Sequence, residues 1–190
     1  MNNQQSVTVA IESGIQAVLD NVVKKKLDLS KVDELMKGCK KNNLRLYAFY
    51  VVGLPGETEK DIQGTVDYAL EKFKKYDVLP TINKTKTLPG TELHDIVYSN
   101  KFYKDQLSFD ENSIVTNEFS PAIVERLYNQ FTIRLIGIAL QKCLTKPTMM
   151  LTFFRLALGY KWFLSRMVKD VLEGLATSNM LTKRLSTNAD

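Results

Sequence analysis

Three short clusters carry the polar groups and bare backbone from which a ligand site could be built. Glu12-Ser13-Gly14 offers a carboxylate and a hydroxyl, which could bind hydroxyls or an amine. Gly53-Leu54-Pro55-Gly56 offers backbone without a Cβ in the way, so Gly53 could present it to a flat ring. Asn83-Lys84-Thr85 adds an amide, an ammonium and a hydroxyl, and Lys84 as a point charge suits a carboxylate or phosphate. Together they describe a nucleotide-like ligand spanning three strand ends. Turn chemistry alone also accounts for these residue types at strand-to-helix junctions. Spacing by itself leaves the two readings level.

Each cluster follows a β-prone run. Val7–Ile11 predicts the first strand, and the aromatic and β-branched run from Leu44 to Val52 predicts a second, covered on both faces. Asp77–Asn83 predicts a third, which Pro80 assigns to a sheet edge. Helices are predicted between them. Ile15 to Lys25 carries Val18, Leu19, Val22 and Val23, with cations at its end. A helix from Ser30, boxed with Asp33, carries Val32, Leu35, Met36 and Cys39, and Asn42-Asn43 ends it. Thr58 and Asp61 predict a capping box for a helix over 59–76, with Ile62, Val66, Ala69, Leu70 and Phe73 buried. Strand starts recurring at roughly 35 residues match βαβ units, and such crossovers make a parallel sheet. Parallel strands send all three clusters to one edge.

Further on, Leu88-Pro89-Gly90 turns into a short helix near His94–Tyr98. Ser120-Pro121 starts a helix running to about Leu144, and Pro147 breaks it. Residues 148–176 read as further helix. The organisation expected is an α/β segment over 6–103, a linker over 104–118, a mostly helical extension over 119–176 and a disordered tail over 177–190.

Composition is that of a globular protein, 44% hydrophobic and 25% charged. The net charge of +5 resides in residues 141–190, which hold eight Lys/Arg against three Asp/Glu. Solvated helix faces explain it, and no nucleic acid partner is expected. Amphipathic attachment to a membrane surface through residues 148–176 is the alternative. Cys39 and Cys143 have no metal-ligand spacing and suit a reducing, cytoplasmic setting.

The ordered set Val9–Gln16, Val51–Asp61 and Leu88–Leu93 resembles the radical S-adenosylmethionine superfamily, nearest its methylthiotransferase and cobalamin-binding groups. The resemblance covers about residues 6–103 and implies the fourth to sixth strands of a partial (β/α)6 barrel. It implies that Glu12, Ser13, Gly14 and Gln16 meet the ribose and methionine part of S-adenosylmethionine. Val51, Val52, Gly53 and Pro55 would then pack on adenine, and Asn83, Lys84 and Thr85 would close the site. The family's [4Fe-4S] cluster cleaves that cofactor to a 5′-deoxyadenosyl radical. Its CxxxCxxC loop has no counterpart in this chain, so no catalytic or metal residue is assigned here. The cluster is expected on a missing N-terminal half or a separate chain, and cobalamin is left open. A non-catalytic nucleotide- or partner-binding module is the rival reading.

Overall fold

The computed structural model describes residues 6–102 and 114–145. β1 (Ser6–Glu12), β2 (Arg45–Val52) and β3 (Leu79–Lys84) form one sheet in that order, and both outer strands run parallel to β2. This is the expected α/β arrangement of three parallel strands with helices, followed by a long helix. The chain divides into two compact units, Met1–Tyr128 and Asn129–Asp190. The sheet belongs to the first. The predicted helices over 148–176, the tail over 177–190 and residues 104–113 of the linker lie outside the described residues.

Alternation along β2 sets the layers. Leu46, Ala48, Tyr50 and Val52 are buried, whereas Tyr47, Phe49 and Val51 between them are half-buried. The strand is therefore fully covered on one face and partly on the other, not closed off on both. Helices α2 (Leu29–Lys41) and α3 (Glu59–Tyr76) supply the closed face. Val32, Met36 and Cys39 of α2 are buried there, with Ile62, Val66, Ala69, Leu70 and Phe73 of α3. Leu35 departs from the expected stripe and is exposed. Its place next to Met36 turns it toward the margin of the apolar face.

Local chemistry decides the helix ends. Thr58 and Asp61 form the predicted capping box: Thr58 Oγ1 accepts from the Asp61 amide at 3.2 Å, and Asp61 Oδ2 accepts from the Thr58 amide at 2.9 Å. The cap of α2 is Asp28, not Ser30. Its carboxylate accepts from the Ser30 amide at 2.8 Å and the Ser30 hydroxyl at 2.6 Å. Asp and Ser cap equally well, and Asp28 precedes the first free amides. Asp33, released from capping, instead accepts from Tyr68 Oη at 2.9 Å and pairs with buried Lys72 at 2.7 Å. That cluster ties α2 to α3. Asn43 takes the left-handed conformation expected after α2, with φ 54°.

Two boundaries shift. The predicted helix over 15–25 is a three-residue turn, α1 (Gln16–Val18), continuing into a π-turn over Leu19–Val23. The third strand begins at Leu79 and includes Lys84, because Asp77 is the left-handed cap of α3. Pro80 lies on an edge strand, as predicted. Helix α4 (Glu92–Ser99) is capped by Thr91. Helix α5 (Pro121–Thr145) begins at the predicted proline, and its first two turns, to Tyr128, belong to the first unit. In the second unit, Phe131 is buried while Ile133, Leu140 and Leu144 are exposed.

Gly14 joins β1 to α3 by close approach. A Cβ there would lie 2.5 Å from Tyr68 Cβ and 3.1 Å from Thr65 Cα, neither of which is a flexible chain end. Gly14→Ala is expected to destabilise the fold by about 1–3 kcal/mol. Gly38, in α2, has nothing within 4 Å of such a Cβ. Gly38→Ala should stabilise by about 0.5–1 kcal/mol. Urea unfolding of both variants checks the pair, and equal effects would contradict the packing argument.

Candidate functional site

All three predicted clusters arrive at the carboxyl edge of the sheet. Register places Glu12 opposite Tyr50, Asn83 opposite Val51 and Lys84 opposite Val52. The edge is thus built from Glu12–Gly14, Val52–Gly56 and Asn83–Thr85, each positioned by a strand hydrogen-bonded to β2 or by β2 itself.

Several predicted residues spend their polar groups on building this edge. Ser13 is fully buried; its hydroxyl meets Thr65 Oγ1 at 2.9 Å and accepts from the Ile15 amide at 3.1 Å. The Gly14 amide donates to Thr65 Oγ1 at 3.1 Å. Gln16 is exposed, and its amide group bridges Asp20, the Leu27 carbonyl and the Leu29 amide. Thr85 donates from both its amide and its hydroxyl to the Val52 carbonyl, at 2.9 and 2.8 Å. Val51 and Pro55 are half-buried, Val52 is buried and Asn83 is exposed. Lys84 Nζ lies 2.8 Å from Glu125 Oε2 and 4.9 Å from the centre of the Tyr128 ring.

Glu12 is held differently. Its φ of 74° is left-handed, where a side chain on a non-glycine residue is strained, and pairing with β2 shifts register between Ala10 and Glu12. Its carboxylate lies 3.4 Å from Lys25 Nζ, and that ammonium also donates to the Ala10 carbonyl at 2.5 Å. Lys25 reaches back to β1 because the π-turn ends in Lys24 with φ 56°, and the Lys25 amide closes onto the Leu19 carbonyl at 2.9 Å. Both side chains keep access to solvent, 27% for Glu12 and 34% for Lys25. π-turns and left-handed non-glycine residues concentrate at functional sites. Lys25 was read from sequence only as a cation closing a helix, because nothing local marks the π-turn that redirects it.

Gly53 takes φ 86°, so its conformation suits the missing Cβ. Its amide and that of Leu54 both donate to Glu57 Oε2, at 2.8 and 2.7 Å. Glu57 is fully buried, and among the described residues its Oε1 has no hydrogen-bond partner. Burial pushes its carboxyl up to about 7, against the two amides that favour the charged form; Asp61 adds to the rise. Sequence reading assigned Glu57 to a motif without a role. The signal was present: a carboxylate four residues after a strand-ending glycine, across a Pro-Gly turn, can fold back on the strand-end amides.

Among the described residues, no group of His, Cys, Asp or Glu could hold a metal ion. Cys39 is buried and the chain holds two cysteines in all, too few for the thiolates an iron–sulfur cluster requires. These residues do not fit a cluster. No described helix is long and apolar enough to cross a membrane.

The fold and edge define an α/β segment whose parallel strand ends gather a part-exposed ion pair, a left-handed glycine turn and a buried acid. Part of the chain is similar to cytidylyl-2-hydroxyethylphosphonate methyltransferase of Streptomyces wedmorensis, at 37% identity over 71 aligned residues. That match covers 34% of this chain and 13% of the enzyme, so the chain spans a small part of the relative's length. No protein-family profile matches the chain.

Glu57 gives the edge a pH dependence with a definite sign. An acid raised from 4.5 to about 7 in the fold binds its proton more tightly there than when unfolded. Its contribution is fully present below pH 4.5, is lost as pH rises, and is gone above about 7. Glu57→Gln keeps an oxygen for the two amides and cannot ionise. The stability of Glu57→Gln relative to the parent should therefore grow between pH 5 and pH 7.5 in urea unfolding. A difference independent of pH would contradict the burial of an ionisable Glu57.

Proposed function

We propose that this chain supplies part of the S-adenosylmethionine site of a radical S-adenosylmethionine enzyme, with methyl transfer as the nearest chemistry. The observation that carries the reading is the Glu12–Lys25 pair, strained and solvent-accessible at a parallel strand end. The order of its three motifs, and the similarity of part of the chain to a methyltransferase, support it.

The residues fit the amino-acid end of such a cofactor. A zwitterion needs an anion for its amine and a cation for its carboxylate. Glu12 supplies the first. Lys25 supplies the second, since an ammonium has three donors and two are used here. Gly53, lacking a Cβ, gives the adenine ring a surface, and Glu57 fixes the turn that carries it. Ser13, Gly14, Thr65 and Thr85 orient the three strand ends. An iron–sulfur cluster of such an enzyme would supply the electron that cleaves the bound cofactor. The cysteines for that cluster come, on this reading, from another segment or chain. The outer edge of β1 fits such a partner: among the described residues β1 pairs with β2 alone. Alone, this chain would bind and orient the cofactor and have little or no activity.

Calorimetry with S-adenosylmethionine and with 5′-methylthioadenosine, which lacks the amino-acid end, tests the reading. S-adenosylmethionine should bind more tightly, and Lys25→Met should lose roughly tenfold of that preference, as for a hydrogen bond to a charged group. Binding of neither compound would sink the site. A preference unchanged in Lys25→Met would sink the role given to the pair.

A further inference from the structure

We propose that residues 114–128 form a strap that occupies the glycine turn and the end of β3 when no ligand is bound, and that a nucleotide-like ligand must lift it. The inference rests on the reading of this edge as a nucleoside site.

The strap covers the positions a ligand would need. Val124 Cγ2 lies 3.5 Å from where a Gly53 Cβ would stand, in van der Waals contact with the turn. Ile114, Phe119 and Val124 are each 3% exposed and close over Val52, Gly53 and Thr85. What they leave is a notch on the scale of one water molecule, too small for a nucleobase. The next residue, Glu125, places its carboxylate 2.8 Å from Lys84 Nζ, where a ligand's anionic group would sit. Arg126 pairs with Glu59 in the first turn of α3. Three consecutive residues therefore bind three features of the rim: an apolar contact on the bare turn, a carboxylate on the strand-end cation, and a guanidinium on the first turn of a helix.

The chemistry is that of a mimic. Val124 stands where a flat ring would lie, and Glu125 supplies the anion. The contacts are also of a strength a ligand can replace. Arg126 and Glu59 are 51% and 48% exposed, so their ion pair is a weak tie, while the firmer Glu125–Lys84 tie, with Lys84 15% exposed, is one that a ligand's own anion would replace in kind. Glu12 and Lys25 stay uncovered, so the amino-acid end of a ligand could dock first and the ring then displace Val124.

The test uses the full chain in two measurements. Hydrogen exchange read by mass spectrometry compares the parent with Glu125→Gln and with Glu125→Gln/Val124→Ala. Exchange should rise at residues 52–56, 84–87 and 114–128 and stay constant in α3. Calorimetry should show 5′-methylthioadenosine binding the double variant roughly tenfold more tightly than the parent. Faster exchange with no binding to any form would keep the strap and overturn the nucleoside reading of the edge. Unchanged exchange, or weaker binding by the variants, would show that the segment is a fixed wall and overturn the strap.

Discussion

β2 is hydrogen-bonded along both edges to strands running its own way, and this constraint fixes what the rest of the unit can be. Parallel neighbours cannot be joined by hairpins, so the chain must cross back through α2 and α3. Both helices lie against the Leu46–Val52 face and are tied to each other through Asp33, Tyr68 and Lys72. The same geometry delivers every strand's carboxyl end to one edge. The site is a consequence of strand direction before it is a consequence of any side chain.

Energetic comparison separates the residues that build this edge from those available to a ligand. Ser13, Thr65 and Thr85 have buried partners, and each such hydrogen bond contributes about 1 kcal/mol. Their groups are committed to the fold. The Glu12–Lys25 pair behaves oppositely. Both side chains are part-exposed, and a pair of that kind contributes about 0–1 kcal/mol. Holding it requires left-handed backbone at both Glu12 and Lys24, at about 1–2 kcal/mol each. Stability alone gives no return on that arrangement, which makes it an argument for recognition. Glu57 falls between the two classes. It sacrifices solvation of a carboxyl to fix two amides of a turn, and among the described residues its buried Oε1 has no hydrogen-bond partner.

What could be read from sequence was what depends on near neighbours. The Thr58–Asp61 box and the apolar stripe of α3 are each settled within a few residues, and the structure has them as expected; the apolar run of β2 marks a strand but not its half-covered second face. The 35-residue period also sufficed for strand direction, since crossovers of that length go with parallel pairing. Failures came where a distant partner decides. Ser30 and Asp33 have the right spacing for a box, but Asp33 is claimed by Tyr68 and Lys72, 35 and 39 residues away. Lys25 looks like a helix-ending cation until the π-turn points it at β1. Nothing near Lys84 signals that Glu125, 41 residues on, reaches it. Nothing in the pattern of residues 114–128 announces that Val124 will lie on Gly53.

All-parallel sheets are stable when both faces are covered, because their strands are apolar on both. Here α2 and α3 cover one face. On the other, Tyr47, Phe49 and Val51 remain half-buried among the described residues, and residues 114–128 reach only the carboxyl end of the sheet. Among the described residues the outer edge of β1 is unpaired beside them. A further parallel strand beside β1, bringing its own covering layer, would meet both at once. Such a strand would continue the carboxyl rim past Glu12 and Lys25. The two part-exposed charges would then lie within a site rather than at its margin, where a lower dielectric strengthens their interaction with a ligand's charges.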